Sequence, residues 1–214
     1  MNFLKTIPYL EYEHDLPQTG KVILAQTKGE TMYVYQAFNP QIANYAVAHQ
    51  RFGGTAYSFA RMSWIKPNFL WMMYRAGWAS KPNQERILAL EIPQQAFFDL
   101  LRAGVFSSFK AEEYTDHATW KTALANSEVR LQWDPDHNPL GEKLDRRAIQ
   151  IGMKGATLQE FNEAYLQSVT DITDFVKTQA QHLKDQEKLQ VIAETVLDLP
   201  LDLQKQLGIL STFA

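Results

Sequence analysis

The sequence predicts an α+β fold: one domain with a split or mixed central sheet, flanked by helices and followed by a helical C-terminal region. Short runs rich in β-branched and aromatic residues alternate with helix-patterned segments in the first half of the chain, and capping or terminating residues stand at the ends of those segments. No repeat and no Gly-, Ser- or Pro-rich linker divides the chain. With 214 residues, 45% of them hydrophobic and 21% charged, it has enough apolar surface for one compact core. The expected layout is a mixed α+β core over 1–155 and a helical part of the same domain over 156–214.

The elements follow in order. Lys21 to Gln26 and Thr31 to Phe38 read as a hairpin around Lys28, Gly29 and Glu30. Asn39 caps a helix with Pro40 at its first position, and Ile42, Ala43, Ala46, Val47 and Gln50 keep helical spacing until Gly53 and Gly54. Pro67 is expected to open a second helix that ends at Gly77. Ile87 to Ile92 reads as a buried strand, Pro93 as the start of a third helix and Gly104 as its end. Glu128 to Trp133 and Arg147 to Ile151 are two further strands, joined by a polar loop from Asp134 to Gly141. Thr157 and Glu160 suggest a capping box, and a second amphipathic helix is expected near Lys184 to Leu197.

Composition narrows the function. A net charge of −3 argues against nonspecific coating of nucleic acid or anionic membrane, although a local basic patch is compatible with it. Without cysteine there is no disulfide, no thiolate metal site and no cysteine nucleophile. The opening MNFLKTIPYLEYEHDLP lacks the basic start and apolar run of a secretory signal, and no window reaches the ~18 apolar residues of a membrane helix. A cytoplasmic protein with no membrane partner is the expectation.

Chemistry concentrates between Ser58 and Trp78. Three of the five tryptophans (Trp64, Trp71 and Trp78) fall there with Arg61, Lys66 and Arg75. Trp71 and Arg75 are i and i+4 neighbours on the expected helix, placed for a cation–π pair. Lys66 falls near the expected helix start, where backbone N–H groups favour an anion. These groups suit a phosphate and a flat ring. The aromatics also suit a core, since Trp, Phe and Met are mostly buried. An unpaired cation beside apolar residues is costly, so Arg61 and Lys66 call for an acidic partner or a ligand anion.

Gln36, Gln132 and Gln150 lie in three expected strands, where their amides need partners from a ligand or from an internal network. Asp134, Asp136 and His137 lack the spacing of a metal site and read as turn formers, so no metal is predicted. No G-x-S-x-G, Walker A, G-x-G-x-x-G or H-E-x-x-H motif is present. The GMKG at Gly152 to Gly155 reads as a turn. The five histidines show no pairing and are expected at the surface.

The segments YQAFNPQIANYAVAHQRF, SFARMSWIKPNFLWMMYRAGW, LQWDPDHNPLG and RRAIQIGMKG together resemble the family known as domain of unknown function (DUF) 4291, over about Thr31 to Ile172. The order of elements is more distantly similar to ADP-ribosyltransferase-like folds. That similarity implies NAD gripped in the cleft of a split sheet by a His or Arg on the first strand and a later carboxylate. Here Gln36 holds the first position, and Glu91 or Asp134 would be the carboxylate. The resulting expectation is a nucleotide-binding enzyme using NAD or a related nucleotide. Arg61 and Lys66, with either Arg75 or Arg147, would contact the pyrophosphate, Trp64 or Trp71 a ring, and Gln36 or Asp134 the bond that breaks, with Gln132 and Gln150 completing the site. The alternatives are a noncatalytic binder of nucleotide or single-stranded nucleic acid and a structural protein docking through its C-terminal helices.

Overall fold

The computed structural model describes residues 4–111 and 113–209. Its elements run β1 (Thr6–Pro8), α1 (Tyr9–His14), β2 (Gly20–Lys21), β3 (Leu24–Ala25), β4 (Thr27–Lys28), β5 (Thr31–Phe38), α2 (Pro40–His49), β6 (Ser63–Ile65), α3 (Phe69–Ala76), β7 (Arg86–Pro93) and α4 (Gln94–Ala103). There follow β8 (Val105–Phe106), α5 (His117–Asn126), β9 (Val129–His137), β10 (Lys143–Met153), α6 (Gly155–Glu160) with a π turn at Phe161–Tyr165, β11 (Ser168–Asp171), α7 (Thr173–Ala180), β12 (Gln190–Ile192), β13 (Thr195–Val196) and α8 (Leu201–Leu207).

Two mixed or antiparallel sheets form the frame. One runs β11-β7-β5-β4, and the other β8-β9-β10, with β2 and β6 on the far edge of β10. A single antiparallel bridge, Tyr35 to Lys66, ties β5 to the end of β6 and so joins the sheets at one point. This is the α+β architecture with a split or mixed sheet that the sequence predicted, and the mixed sheet is curled. Buried on both faces, β5 explains the unbroken apolar reading of Thr31 to Phe38. Met32 and Val34 enter one apolar cluster with Leu131 and Ile149, while Tyr33 and Tyr35 enter another with Phe69 and Val176.

Close approach fixes one helix end. Gly104 closes α4 at a point where a Cβ would lie 2.4 Å from the Cγ of the buried Leu131. Gly104→Ala is therefore expected to cost about 1–3 kcal/mol by overpacking, read as a lower denaturation midpoint at unchanged slope.

Several local expectations fail for tertiary reasons. The first hairpin is only β4 and β5; Lys21 pairs in parallel with Arg147, and Leu24 and Ala25 pair with β13. Helix α2 stops at Gln50, in the left-handed region at φ 53°, rather than at Gly53. The Gln50 amide bonds both the N–H and the C=O of Val169, at 2.8 and 2.9 Å, which holds it there. The Thr157–Glu160 capping box does not form, because Glu128 accepts the N–H groups of Ala156 and Thr157. Residues Lys184 to Leu197 are turns and the short strands β12 and β13, so the C-terminal part mixes strands with its helices. No helix among the described residues is long and apolar enough to cross a membrane.

Candidate functional site

A cleft of about 520 Å³ opens where the two sheets part beside the Tyr35–Lys66 bridge. Lys66 precedes Pro67, and the proline ring pushes its predecessor into extended backbone. Lys66 accordingly prolongs β6, exchanging backbone bonds with Tyr35 at 2.7 and 3.1 Å. Along this strand Ile65 enters the core, and Trp64 and Lys66 line the cleft. Trp64 lies across Gly152 of β10, where a Cβ would come within 2.9 Å of both its ring and the Met62 sulfur. A glycine there lets the indole rest on the sheet.

The facing wall comes from β9 and β10, which put Gln132 opposite Gln150 and Asp134 opposite Ala148. The apolar alternates Leu131, Ile149 and Ile151 point to the core. Gln132 and Gln150 each donate to one oxygen of Asp134, both at 2.8 Å, so the carboxylate is oriented from two sides. Gln36, at the end of β5, donates to Ser63 Oγ at 2.8 Å and to the Trp64 carbonyl at 3.1 Å. Its buried Oε1 has no partner among the described residues, nor has the buried Nε1 of Trp71.

Helix α3 forms the roof. Asn68 caps it by accepting from Trp71 N at 2.6 Å, and Gly77 at φ 57° terminates it. Trp71 and Arg75, one turn apart, both reach the cleft. Lys66 retains only 4% exposure. Burial first, and then the neighbouring Arg75 charge, bring its amine down to about 7 against the opposing pull of Asp134.

The site predicted from the sequence thus converges in large part: Gln36, Trp64, Lys66, Trp71, Arg75, Gln132, Asp134 and Gln150 all line one cavity. Two predicted residues lie apart. Arg61 is exposed on an adjoining groove of about 160 Å³ that shares Phe38, Met62 and Ser63 with the main cleft. Arg147 is exposed next to Arg146 and donates to the Trp133 carbonyl at 2.8 Å, because the strand's alternation turns it away from Gln150.

Pro67 does not open the helix, and the N-terminus of α3 is no open anion site. Asn68 takes Trp71 N, and Glu194 takes Phe69 N at 2.7 Å. The Trp71 ring stacks on Tyr74 and His137, at centroid separations of 5.4 and 5.5 Å, in place of the expected pairing with Arg75. Glu91, the other candidate carboxylate, lies away from the cleft, accepting from Thr31 and Ser168.

The family described as "Domain of unknown function (DUF4291)" matches residues 22–200. The chain belongs to the DUF4291 family. No curated protein matches it.

Three features of this DUF4291 site escape a sequence reading. Ser63 and Met62 line it from β6 and the loop before it, yet neither stands out beside the tryptophans. His137 is buried rather than exposed: it stacks on Tyr74 at 3.5 Å and 8°, backing the Trp71 ring. Asp134, Asp136 and His137 belong to β9 and not to a loop, because β9 extends to His137 and the turn begins at Asn138. The signal for this was the period-two pattern Gln132, Asp134, Asp136, which the prolines at 135 and 139 obscured.

Proposed function

We propose that this DUF4291 domain is a nucleotide-binding enzyme that resembles ADP-ribosyltransferases in layout and takes NAD or a related nucleotide in the cleft at the sheet split. The observation carrying this reading is the convergence of Lys66, Arg75 and Asp134 with Trp64 and Trp71 on one cleft. Arg75 brings a fixed positive charge to a cleft whose one carboxylate, Asp134, already accepts from two amides, which leaves that charge available to an anion. Arg75 supplies a permanent charge for phosphate. An indole supplies a face for a ring, and the unpartnered Gln36 Oε1 and Trp71 Nε1 offer an acceptor and a donor. Asp134 is the carboxylate placed to stabilise positive charge on a ribose C1′ as its glycosidic bond breaks. The volume falls in the ~300–1,000 Å³ range of small-molecule sites.

A calorimetric and thermal-shift screen with NAD, ADP-ribose and ATP tests the reading. A ligand at 100 times its dissociation constant stabilises the native state by about 2.7 kcal/mol. Arg75→Ala should weaken binding about 10- to 100-fold, the worth of one charge-assisted contact, and Arg147→Ala should leave it unchanged. No shift with any of these nucleotides at millimolar concentration refutes it. The adjoining Arg61 groove favours a second reading, noncatalytic binding of a longer single-stranded nucleic acid. In that case oligonucleotides outbind mononucleotides, and Arg61→Ala flattens the salt dependence.

A further inference from the structure

Within the cleft Lys66 stands out as a base and nucleophile rather than as a permanent cation. Its side chain is more than nine-tenths buried, lines the cavity, and makes no hydrogen bond or ion pair with any described residue. Arg75 already provides fixed positive charge at the same wall. A second fixed charge there would repel the first, whereas an uncharged amine would not. Among the described residues no other group lining the cleft competes for the role. There is no cysteine, no histidine lines the cleft, and Ser63 Oγ accepts from Gln36 without a base beside it. Asp134, held by two amides, is the one carboxylate lining the cavity among the described residues.

We infer that Lys66 captures the open-chain aldehyde of a ribose carrying phosphate or pyrophosphate, forming an imine at C1′ while Arg75 holds the anion. This rests on the nucleotide reading above and adds to it a nucleophile and a substrate class. The amine nitrogen attacks the aldehyde carbon, and the carbonyl π bond breaks onto oxygen. Asp134 carries the two amine protons to the oxygen in turn, the first to give the carbinolamine and the second as the C–O bond breaks, so that the oxygen leaves as water and the C=N bond forms. No oxidant or reductant is consumed, and hydrolysis reverses the step. Desolvation beside a second cation is an established way of keeping a lysine free to attack. Near neutrality the depressed amine of Lys66 is about half unprotonated, an advantage on the order of 10³ over an ordinary lysine.

The experiment treats the full chain with ADP-ribose and sodium cyanoborohydride at pH 7 and maps the product by peptide mass spectrometry. The expected adduct is one ADP-ribose less one oxygen, placed on Lys66 at least tenfold above every other lysine and lost in Lys66→Arg. NAD, whose C1′ is locked in a glycosidic bond, is expected to protect Lys66 without labelling it. The site map of the unsubstituted protein decides the matter even if the variant fails to fold. Labelling spread over exposed lysines while Lys66 stays unmodified overturns the inference, and if ADP-ribose still stabilises the fold in that case, the nucleotide reading survives alone. Absence of both labelling and stabilisation overturns the two together.

Discussion

Lys66→Met is expected to yield a more stable domain that can no longer form the imine, with a stability gain that fades as pH rises. The substitution keeps the length and most of the volume of the side chain and removes a charge from a position 4% exposed. With its amine brought down from 10.5 to about 7, Lys66 binds its proton more weakly in the folded chain than in the unfolded one. Between those two values the unfolded state holds the extra proton, so the stability of the native protein climbs with pH, by up to ~1.4 kcal/mol per pH unit from this group. Below pH 7 the penalty is complete and on the order of 5 kcal/mol; above 10.5 it is gone. The difference between Lys66→Met and the parent should therefore be largest near pH 6 and shrink toward pH 10. Urea melts of both proteins across that range measure it, and a difference that does not vary with pH would refute the buried, depressed amine. The same variant should give no reductive adduct with ADP-ribose while still showing a thermal shift with nucleotide held by Arg75, the pattern of a residue kept for function at the expense of stability.

That much of this site was legible in the sequence follows from how its residues are spaced. Trp71 and Arg75 share a helix face wherever the helix starts, and Gln36, Gln132 and Gln150 sit in strands whose apolar content is plain. Lys66 lines the cleft for a reason other than the expected helix start. Reading Pro67 as a helix opener drew it toward a helix terminus, whereas the constraint a proline places on the residue before it makes Lys66 the last residue of an extended run. Arg147 lies outside the cleft because one residue along a strand reverses the face, and the register of β10 is set by pairing with β9 and β6 rather than by its own pattern. Two-residue strands such as β2 and β3 carry almost no local signal. They exist because Lys21 meets Arg147 and Ala25 meets Thr195, partners more than a hundred residues away. Lys184 to Leu197 departs from the expected helix for a related reason: the segment carrying the buried Leu189, Val191, Ile192 and Leu197 is drawn out to pair with β1 and β3.

Arg146→Ala is expected to be the most damaging single change to the fold, costing about 3–5 kcal/mol at neutral pH. Arg146 is 1% exposed and donates from Nε to Asp136 at 2.6 Å and through both terminal nitrogens to Glu13, at 2.7 and 3.0 Å. Asp136 is equally buried, and its burial pushes its carboxyl upward against the guanidinium that holds it down. Removing Arg146 strands that carboxylate, and the cost is the desolvation of an unpaired charge more than the loss of a contact. Protonation relieves it, so the deficit should narrow as pH falls through the raised carboxyl range of Asp136 in the variant, while a deficit due only to lost packing would not depend on pH. The partner change Asp136→Asn in the same chain should restore part of the loss, because an amide tolerates burial where a lone carboxylate does not. Equilibrium denaturation of the single and double variants at pH 7 and pH 4.5 separates these outcomes. The effect should reach the cleft as well. Asp136 adjoins His137, whose ring backs Trp71 and Tyr74, and the triad pins α1 to the irregular start of β10, so a slack Arg146 site loosens the roof over Lys66 without touching a ligand.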